Sequence, residues 1–318
     1  MDVWRGRDDV PADLGRTVVT IGNFDGVHLG HQHVLRRSRE VAGERGGLPV
    51  VAVTFDPHPL AVLRPEHAPT LLTSIEQRAE LLSGAGVNHV FVVAFSMEVA
   101  AWSPEEFVDR VLVPLRVVAV VVGANFRFGH RAAGDVATLR ELAEDRDFTV
   151  EGVPLDGGPQ VWSSTYVRTC LAAGDVEGAA EALGRPYTVR GVVVEGHKRG
   201  RALGYPTANV PTSGTTAVPE DGVYAGWLRR LDESEGPWLP AAISVGTNPT
   251  FDGRVHHVES YVLDRDDLEL YGVEIETSFI ARLRGQETFD SIDQLVVQMA
   301  DDVSRARSVL GAPEPGET

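Results

Sequence analysis

The chain has 318 residues, a formal net charge of −17 and a sequence pI near 5.0. That length suits two domains better than one, and the acidic balance argues against a general nucleic-acid binder, which needs a basic face. Hydrophobic residues make up 43% and charged residues 24%, an ordinary soluble globular composition.

No apolar run approaches the roughly 18 residues of a membrane span. The opening MDVWRGRDDVPADLG has no apolar core, so a secretory signal is not expected. One cysteine, Cys170, excludes an internal disulfide and fits a reducing, cytoplasmic compartment. It sits in a helical pattern and reads as a small core residue.

The first half alternates. Strand-like runs are expected at Val18–Ile21, Val50–Phe55, His89–Phe95, Val117–Gly123 and Phe148–Val153, with helical stretches between them. Ser103-Pro-Glu-Glu106 is a capping box with Pro at the first helical position, and Thr73-Ser-Ile-Glu76 is a second start signal. Strands alternating with helices predict a mostly parallel sheet with right-handed crossovers. After Ser163 two short helices are expected to end near Gly184-Arg-Pro186.

The loops after these strands carry the polar motifs. After the first strand comes GNFDGVHLGHQHVL, residues 22–35. His31, Val34, Leu35, Ser38 and Val41 have helical spacing, so the stretch crosses from strand to helix. In a parallel sheet that crossing lies at the carboxyl edge, where ligands bind. A helix start attracts anions, glycine lets backbone approach a phosphate, and His28 and His31 can donate to its oxygens. A metal pair or a plain structural role also fits two histidines. The stretch is neither GxxxxGK[ST] nor GxGxxG.

Thr54-Phe-Asp-Pro-His-Pro59 after the second strand is either a rigid turn or a wall for a planar ligand. Gly123-Ala-Asn-Phe-Arg-Phe-Gly129 follows the fourth strand; Asn125 can bind a base or ribose, and Phe126 or Phe128 can stack on a flat ring or belong to the core. Ser163, Ser164 and Thr165 either cap a helix or bind phosphate with Arg168 one turn on.

From Tyr187 the pattern becomes β-rich, with runs at Thr188–Glu195, Gly222–Arg229, Ala241–Val245, His257–Leu263 and Glu274–Leu283. A small antiparallel barrel or sandwich is expected, with the domain boundary near 184–187. Ser291–Leu310 is a helical pattern with Ile292, Leu295, Val296, Met299 and Val303 on one face. Ala312–Thr318 reads as a disordered tail.

In this half Gly196-His-Lys-Arg-Gly-Arg-Ala-Leu-Gly-Tyr-Pro-Thr-Ala-Asn209 joins glycines and cations to PTAN. Such a flap suits a polyphosphate or is simply a basic hairpin loop. Thr207 and Asn209 point the same way in an extended segment, and their two neutral oxygens can complete a Mg²⁺ shell supplied mainly by phosphates and water. His257, Glu259 and Tyr261 share one strand face. Glu259 is either a salt-bridged barrel carboxylate or a base for a substrate hydroxyl.

Together GNFDGVHLGHQ, TFDPHP, GANFRFG, SSTYVR, GRALGYPTAN, GVYAGW, SVGTNPTF and VESYVLD resemble, in order and along nearly the whole chain, the bifunctional riboflavin kinase/FAD synthetases of bacteria. The resemblance implies an α/β fold: a nucleotidyltransferase-like parallel sheet with flanking helices over residues 1–185, then a riboflavin kinase-like antiparallel β-barrel with a terminal helix over 186–318. It implies two reactions. The second domain phosphorylates riboflavin with ATP to give FMN, and the first joins FMN to the AMP part of ATP to give FAD and pyrophosphate. A riboflavin kinase with a weak or redirected adenylyltransferase half, and a non-enzymatic flavin-binding regulator, are the alternatives.

By the same resemblance His28 and His31, in the HxGH signature, stabilise charge on the α-phosphate. Gly22, Phe24, Asp25, Gly26 and Gly30 form the loop around the nucleotide, with Asn125, Arg127, Phe128, Ser163, Ser164, Thr165 and Arg168. In the kinase half Glu259 is the base, and Thr207 and Asn209 hold Mg²⁺. Gly196, Lys198, Gly200, Arg201 and Pro206 belong to the flap region, and Arg284 lies near the flavin. Partners are small molecules only: ATP, riboflavin and FMN, with no nucleic acid or membrane. The family often has Asp at the place of Asn125, and some members a basic residue where Val161-Trp162 stand.

Overall fold

The structure, a computed structural model, describes residues 1–154, 162–195, 203–233, 236–250 and 253–313, with the backbone alone at 247–250 and 253–255. These residues form two compact units, Met1–Ser164 and Thr165–Thr318.

The first unit runs β1 (Asp2–Trp4), β2 (Thr17–Ile21), α1 (Leu29–Glu44), β3 (Val50–Asp56), α2 (Pro59–Leu63), α3 (Ile75–Gly84), β4 (His89–Ala94), α4 (Met97–Ala100), α5 (Pro104–Phe107), β5 (Val117–Gly123), α6 (Val136–Glu144) and β6 (Thr149–Val153). The strands lie in the order β1-β4-β3-β2-β5-β6, every neighbouring pair parallel. All five expected strands are present; β1 is an addition, too short for any periodicity to announce it.

Both faces of this sheet are covered, so its strands are continuous apolar runs rather than alternating ones. Val19 and Ile21 pack with Phe107, Val108, Val111, Leu112 and the α6 residue Leu139 on one side. Val18 packs on the other with Val34, Leu35 and Val41 of α1 and Ala79 and Leu82 of α3. Leu35 and Leu82 have no exposed surface, and such a burial stabilises by about 2 kcal/mol. From β2 the chain steps to β3 and β4 in one direction, and from β5 to β6 in the other. The reversal lies between β2 and β5, and ligands bind at the carboxyl edge beside such a switch point.

Two helix starts can be compared with expectation. The Ser103/Glu106 capping box forms in full. The start expected at Thr73 falls one residue later: Ser74 caps α3, with Gln77 reaching back. The hydroxyl of Thr73 is engaged elsewhere, as described below.

The second unit contains α7 (Ser164–Ala172, which starts at the division), α8 (Val176–Leu183), β7 (Tyr187–Val192), β8 (Ala208–Thr212), β9 (Gly222–Arg230), β10 (Leu239–Thr250), β11 (Gly253–Val262), β12 (Glu274–Gly285) and α9 (Ile292–Leu310). Helices α7 and α8 go with the barrel in this division. Its physical reason is hydrogen bonding to the barrel: Glu220 N–H donates to Leu171 O at 2.9 Å and Arg282 Nη1 to Ala173 O at 3.1 Å. Cys170 is buried, as read.

The barrel strands are antiparallel in the order β7-β12-β9-β10-β11-β8. Val194 N–H donates to Asn209 O at 2.9 Å, which brings the chain after β7 against β8 and nearly closes the barrel. A Cβ at Gly191 would collide with the Val210 side chain, so the close approach needs glycine there. Helix α9 places Ala306 with Val223, Ala225 and Leu283. Its expected apolar face is the packed one: Leu295, Val296, Met299 and Val303 are half-buried and in line with the buried Asp302 and Ala306, while Ile292 at the start of the helix is 66% exposed.

Candidate active sites

In the first unit the site grows from the loop between β2 and α1, on the switch-point edge. Phe24, Gly26 and Val27 all have positive φ, at 49°, 81° and 43°. A buried carboxylate holds this costly backbone. Asp25, 1% exposed, accepts from Leu72 N–H at 3.0 Å, Thr73 N–H at 3.0 Å and the Thr73 hydroxyl at 3.0 Å. Thr73 Oγ1 in turn accepts from Gly26 N–H at 3.2 Å. The buried Arg78 guanidinium lies 3.5 Å from Asp25 and donates to Thr54 Oγ1 at 3.1 Å, and Thr54 donates to Asn23 O at 3.0 Å. The loop is thus tied to the ends of β3 and the start of α3 by charge-assisted bonds.

His28 is the N-cap of α1. Its Nδ1 accepts from His31 N–H at 3.3 Å. A neutral imidazole accepting at Nδ1 carries its proton on Nε2. The two rings stack with centroids 3.7 Å apart, and Phe24 meets His31 edge-on at 5.2 Å. A Cβ at Gly30 would stand 3.1 Å from the His28 ring and 3.2 Å from Trp162 O, so this position must be small.

Burial, then the neighbouring His28 and Arg78, pushes the His31 imidazole well below the usual histidine range. His31 is therefore neutral near pH 7 and holds a single ring proton. Its Nδ1 is sealed from solvent and has no hydrogen-bond partner among the described residues.

Two more segments meet this edge. After β5, Phe126 N–H closes a turn on Gly123 O at 2.9 Å, which leaves Asn125 exposed at the turn. Ser164, where α7 begins, donates its hydroxyl to Asp25 O at 2.8 Å. Thr165 is exposed and Arg168 half-buried on that helix.

In the second unit the site lies on one strand pair. β8 and β11 are registered so that Asn209 stands opposite Glu259, and His257 is diagonal to Asn209. Opposite and diagonal residues on one face are within side-chain reach. Val258, Ser260 and Val262 are buried, while His257, Glu259 and Tyr261 are half-buried on the other face. Asn209 is 5% exposed, and its Oδ1 is 2.9 Å from His257 Nδ1. Thr207 and Pro206 precede β8 and are half-buried. Among the described residues the Glu259 carboxylate forms no salt bridge or side-chain hydrogen bond, unlike the buried Glu276, which Arg190 and Arg229 hold at 3.1 and 2.6 Å. No group of three histidine, cysteine or acidic side chains able to hold a metal is present among them.

Comparison with known proteins gives both halves a family. The FAD synthetase family matches residues 10–165 and the riboflavin kinase family residues 183–310. The bifunctional riboflavin kinase/FMN adenylyltransferase of Listeria monocytogenes is 36% identical over 93% of this chain and 93% of its own; that of Pseudomonas fluorescens is 39% identical over 98% and 99%. The chain belongs to the bifunctional riboflavin kinase/FMN adenylyltransferase family.

A solved structure named Macrolide-efflux Protein from Streptococcus pneumoniae shares the fold, with a TM-score of 0.85 at 31% identity over 96% of this chain and 98% of that one. That name speaks of efflux. Among the described residues of this family member no helix is long and apolar enough to cross a membrane.

Several of the expected site side chains also make contacts within the protein. The Phe24 ring is 2% exposed and fills the core beneath His31, and the Asp25 carboxylate is consumed by backbone donors. Phe128 is buried and stacks on Phe126 at 5.4 Å. Arg127 pairs with Asp135, the N-cap of α6, at 3.0 Å. Arg284 is held by Asp302 of α9 at 2.7 Å. Gly196, Lys198, Gly200 and Arg201 of the flap, and Val161, lie outside the described residues. Thr73, Arg78 and His257 were not legible as site-building residues, because their partners are distant in sequence.

Proposed function

We propose that this chain makes FMN and FAD in two separate sites, the two activities of its family. The observation that carries the reading is the pairing of two unlike sites on two folds. One is a stacked histidine pair capping a helix at a switch point. The other is a half-buried carboxylate, with no ionic partner among the described residues, opposite a buried asparagine.

In the first unit, an FMN phosphate oxygen attacks the α-phosphorus of ATP and pyrophosphate leaves. No covalent intermediate is needed, since positioning and charge stabilisation suffice. His28 donates from Nε2 and neutral His31 from its one N–H to the α-phosphate oxygens as charge builds. Gly30 keeps these rings over the helix start. Gly22 and Gly26 allow the chain to turn close to the phosphates, and Asn125, Ser163, Ser164, Thr165 and Arg168 hold the nucleotide.

In the second unit, Glu259 takes the proton of the riboflavin 5′-hydroxyl as that oxygen attacks the γ-phosphorus of ATP, and ADP leaves. Thr207 and Asn209 suit Mg²⁺: two neutral oxygens match an ion that keeps phosphate and water ligands. Bound there, Mg²⁺ supplies neutralising charge for the phosphates. The functional domains divide near residue 185, ATP, riboflavin and FMN are the small-molecule partners, and the setting is the cytoplasm.

The test is chromatography of products from purified protein with riboflavin, ATP and Mg²⁺. FMN followed by FAD is expected. FMN alone would reject the adenylyltransferase half, and neither product from folded protein would favour a flavin-binding regulator.

A further inference from the structure

Asn209 is a buried amide on the wall of the kinase site, and a buried amide must find partners for one oxygen and two N–H groups. Its backbone is engaged in the β8–β11 pairing and, on the other edge, by Val194 N–H, which reaches its carbonyl oxygen. The side chain depends on its face neighbours. Glu259 stands directly opposite and His257 diagonally, and it is His257 that makes the contact, Nδ1 to Oδ1 at 2.9 Å. With Asn209 Oδ1 as acceptor, His257 carries its proton on Nδ1. An amide oxygen has two lone pairs; this bond uses one and leaves the other for a cation.

The bond also decides which way the amide faces. Without it, rotation by half a turn would exchange oxygen for NH₂ at the same place, and an NH₂ group cannot bind a cation. Groups that orient a metal ligand this way typically matter 10–100-fold in affinity. His257 is positioned for the task by register: opposite it stands Pro211, and its ring leans along the strand toward Asn209.

We propose that His257 is a positioning residue of the riboflavin kinase site, donating from Nδ1 to Asn209 Oδ1 and thereby fixing the amide oxygen toward the Mg²⁺–nucleotide. The inference rests on the reading of Asn209 as a metal-facing residue, and the experiment separates the two. Full-length protein is mixed with riboflavin and ADP, which cannot phosphorylate it, and riboflavin fluorescence is titrated with Mg²⁺.

His257→Phe keeps the ring and removes the donor; it is expected to raise the half-saturating Mg²⁺ concentration about tenfold. His257→Asn, whose NH₂ falls near the place of Nδ1, is expected to return it to within about threefold, a rescue that a merely structural role would not give. Asn209→Ala is expected to raise it at least as much as His257→Phe. Far-ultraviolet circular dichroism and a cooperative urea transition of the second unit in the same preparations report that the barrel is folded, and His257→Leu repeats the test if Phe strains the barrel. An unchanged midpoint in both donor-less variants, with Asn209→Ala shifted, overturns the role of His257 alone, as does a loss that Asn does not recover. An unchanged midpoint in Asn209→Ala overturns the metal reading and the inference together.

Discussion

The His28 Nδ1 accepts the backbone N–H of His31 while the two imidazoles stack at 3.7 Å, so one residue caps the helix and orients its partner at once. The capping bond explains the tautomer, which places the ring proton on Nε2. His28→Ala is expected to lower the rate of FAD formation about 10²–10³-fold, the usual loss on removing one preorganised donor. FMN formation by the same preparation should stay near wild type. Equal loss of both activities would contradict separate sites.

Gly30→Ala tests the packing behind that pair. The new methyl would stand 3.1 Å from the His28 ring and 3.2 Å from a backbone oxygen. The ring is the softer neighbour and should move. Small misplacements of this kind can cost about 10²-fold in rate. Adenylylation should therefore fall sharply, with a far-ultraviolet circular dichroism spectrum like that of wild type.

His31 gives a pH prediction with a definite sign. Its folded-state affinity for a proton is depressed by burial, His28 and Arg78, whereas the unfolded ring titrates at the ordinary histidine value of about 6.5. As pH falls below that value the unfolded state takes up a proton that the folded state refuses. Stability of the first unit should then fall with decreasing pH, by at most about 1.4 kcal/mol per pH unit from this group. His31→Gln should flatten the slope of denaturation midpoint against pH between 6.5 and 5. An identical slope in the variant would remove His31 as its source.

Glu259→Gln keeps the shape of the kinase wall and removes the base. FMN formation should drop about 10²–10⁴-fold, with FAD formation from supplied FMN unchanged. Full kinase turnover in this variant would sink the assignment.

The barrel has its own acid sensitivity. Burial opposes ionisation of Glu276, but Arg190 and Arg229 outweigh it and hold the carboxyl below the ordinary glutamate range. A depressed carboxylate stabilises fully above its unfolded value, and that contribution is lost as pH falls through the folded one. Glu276→Gln should destabilise the second unit by about 3 kcal/mol at pH 7, since two guanidiniums lose a buried partner. The gap between variant and wild type should close in acid, as urea unfolding at pH 7 and pH 3 would show.

What the sequence by itself determined is everything that depends on near neighbours. The β-branched runs announce β2 to β6, because a strand buried on both faces has to be apolar throughout. The Ser103/Glu106 box and Gly184, in the left-handed region at φ 70°, mark helix ends within a few residues of chain. Loops after parallel strands gather at one edge, so the HxGH stretch, Asn125 and Ser164 could be named before any coordinates. Tertiary structure alone decided what each side chain does there. Asp25 and Phe24 look like ligand residues in a motif, but their partners, Leu72, Thr73 and the core under His31, come from folding. Arg284 could be named only by resemblance, and its pairing with Asp302 appears once α9 packs beside β12. His257 and Asn209 are 48 residues apart and meet only through the β8–β11 register. A hydrogen bond needs two groups within about 3 Å, and local pattern cannot place distant residues that closely.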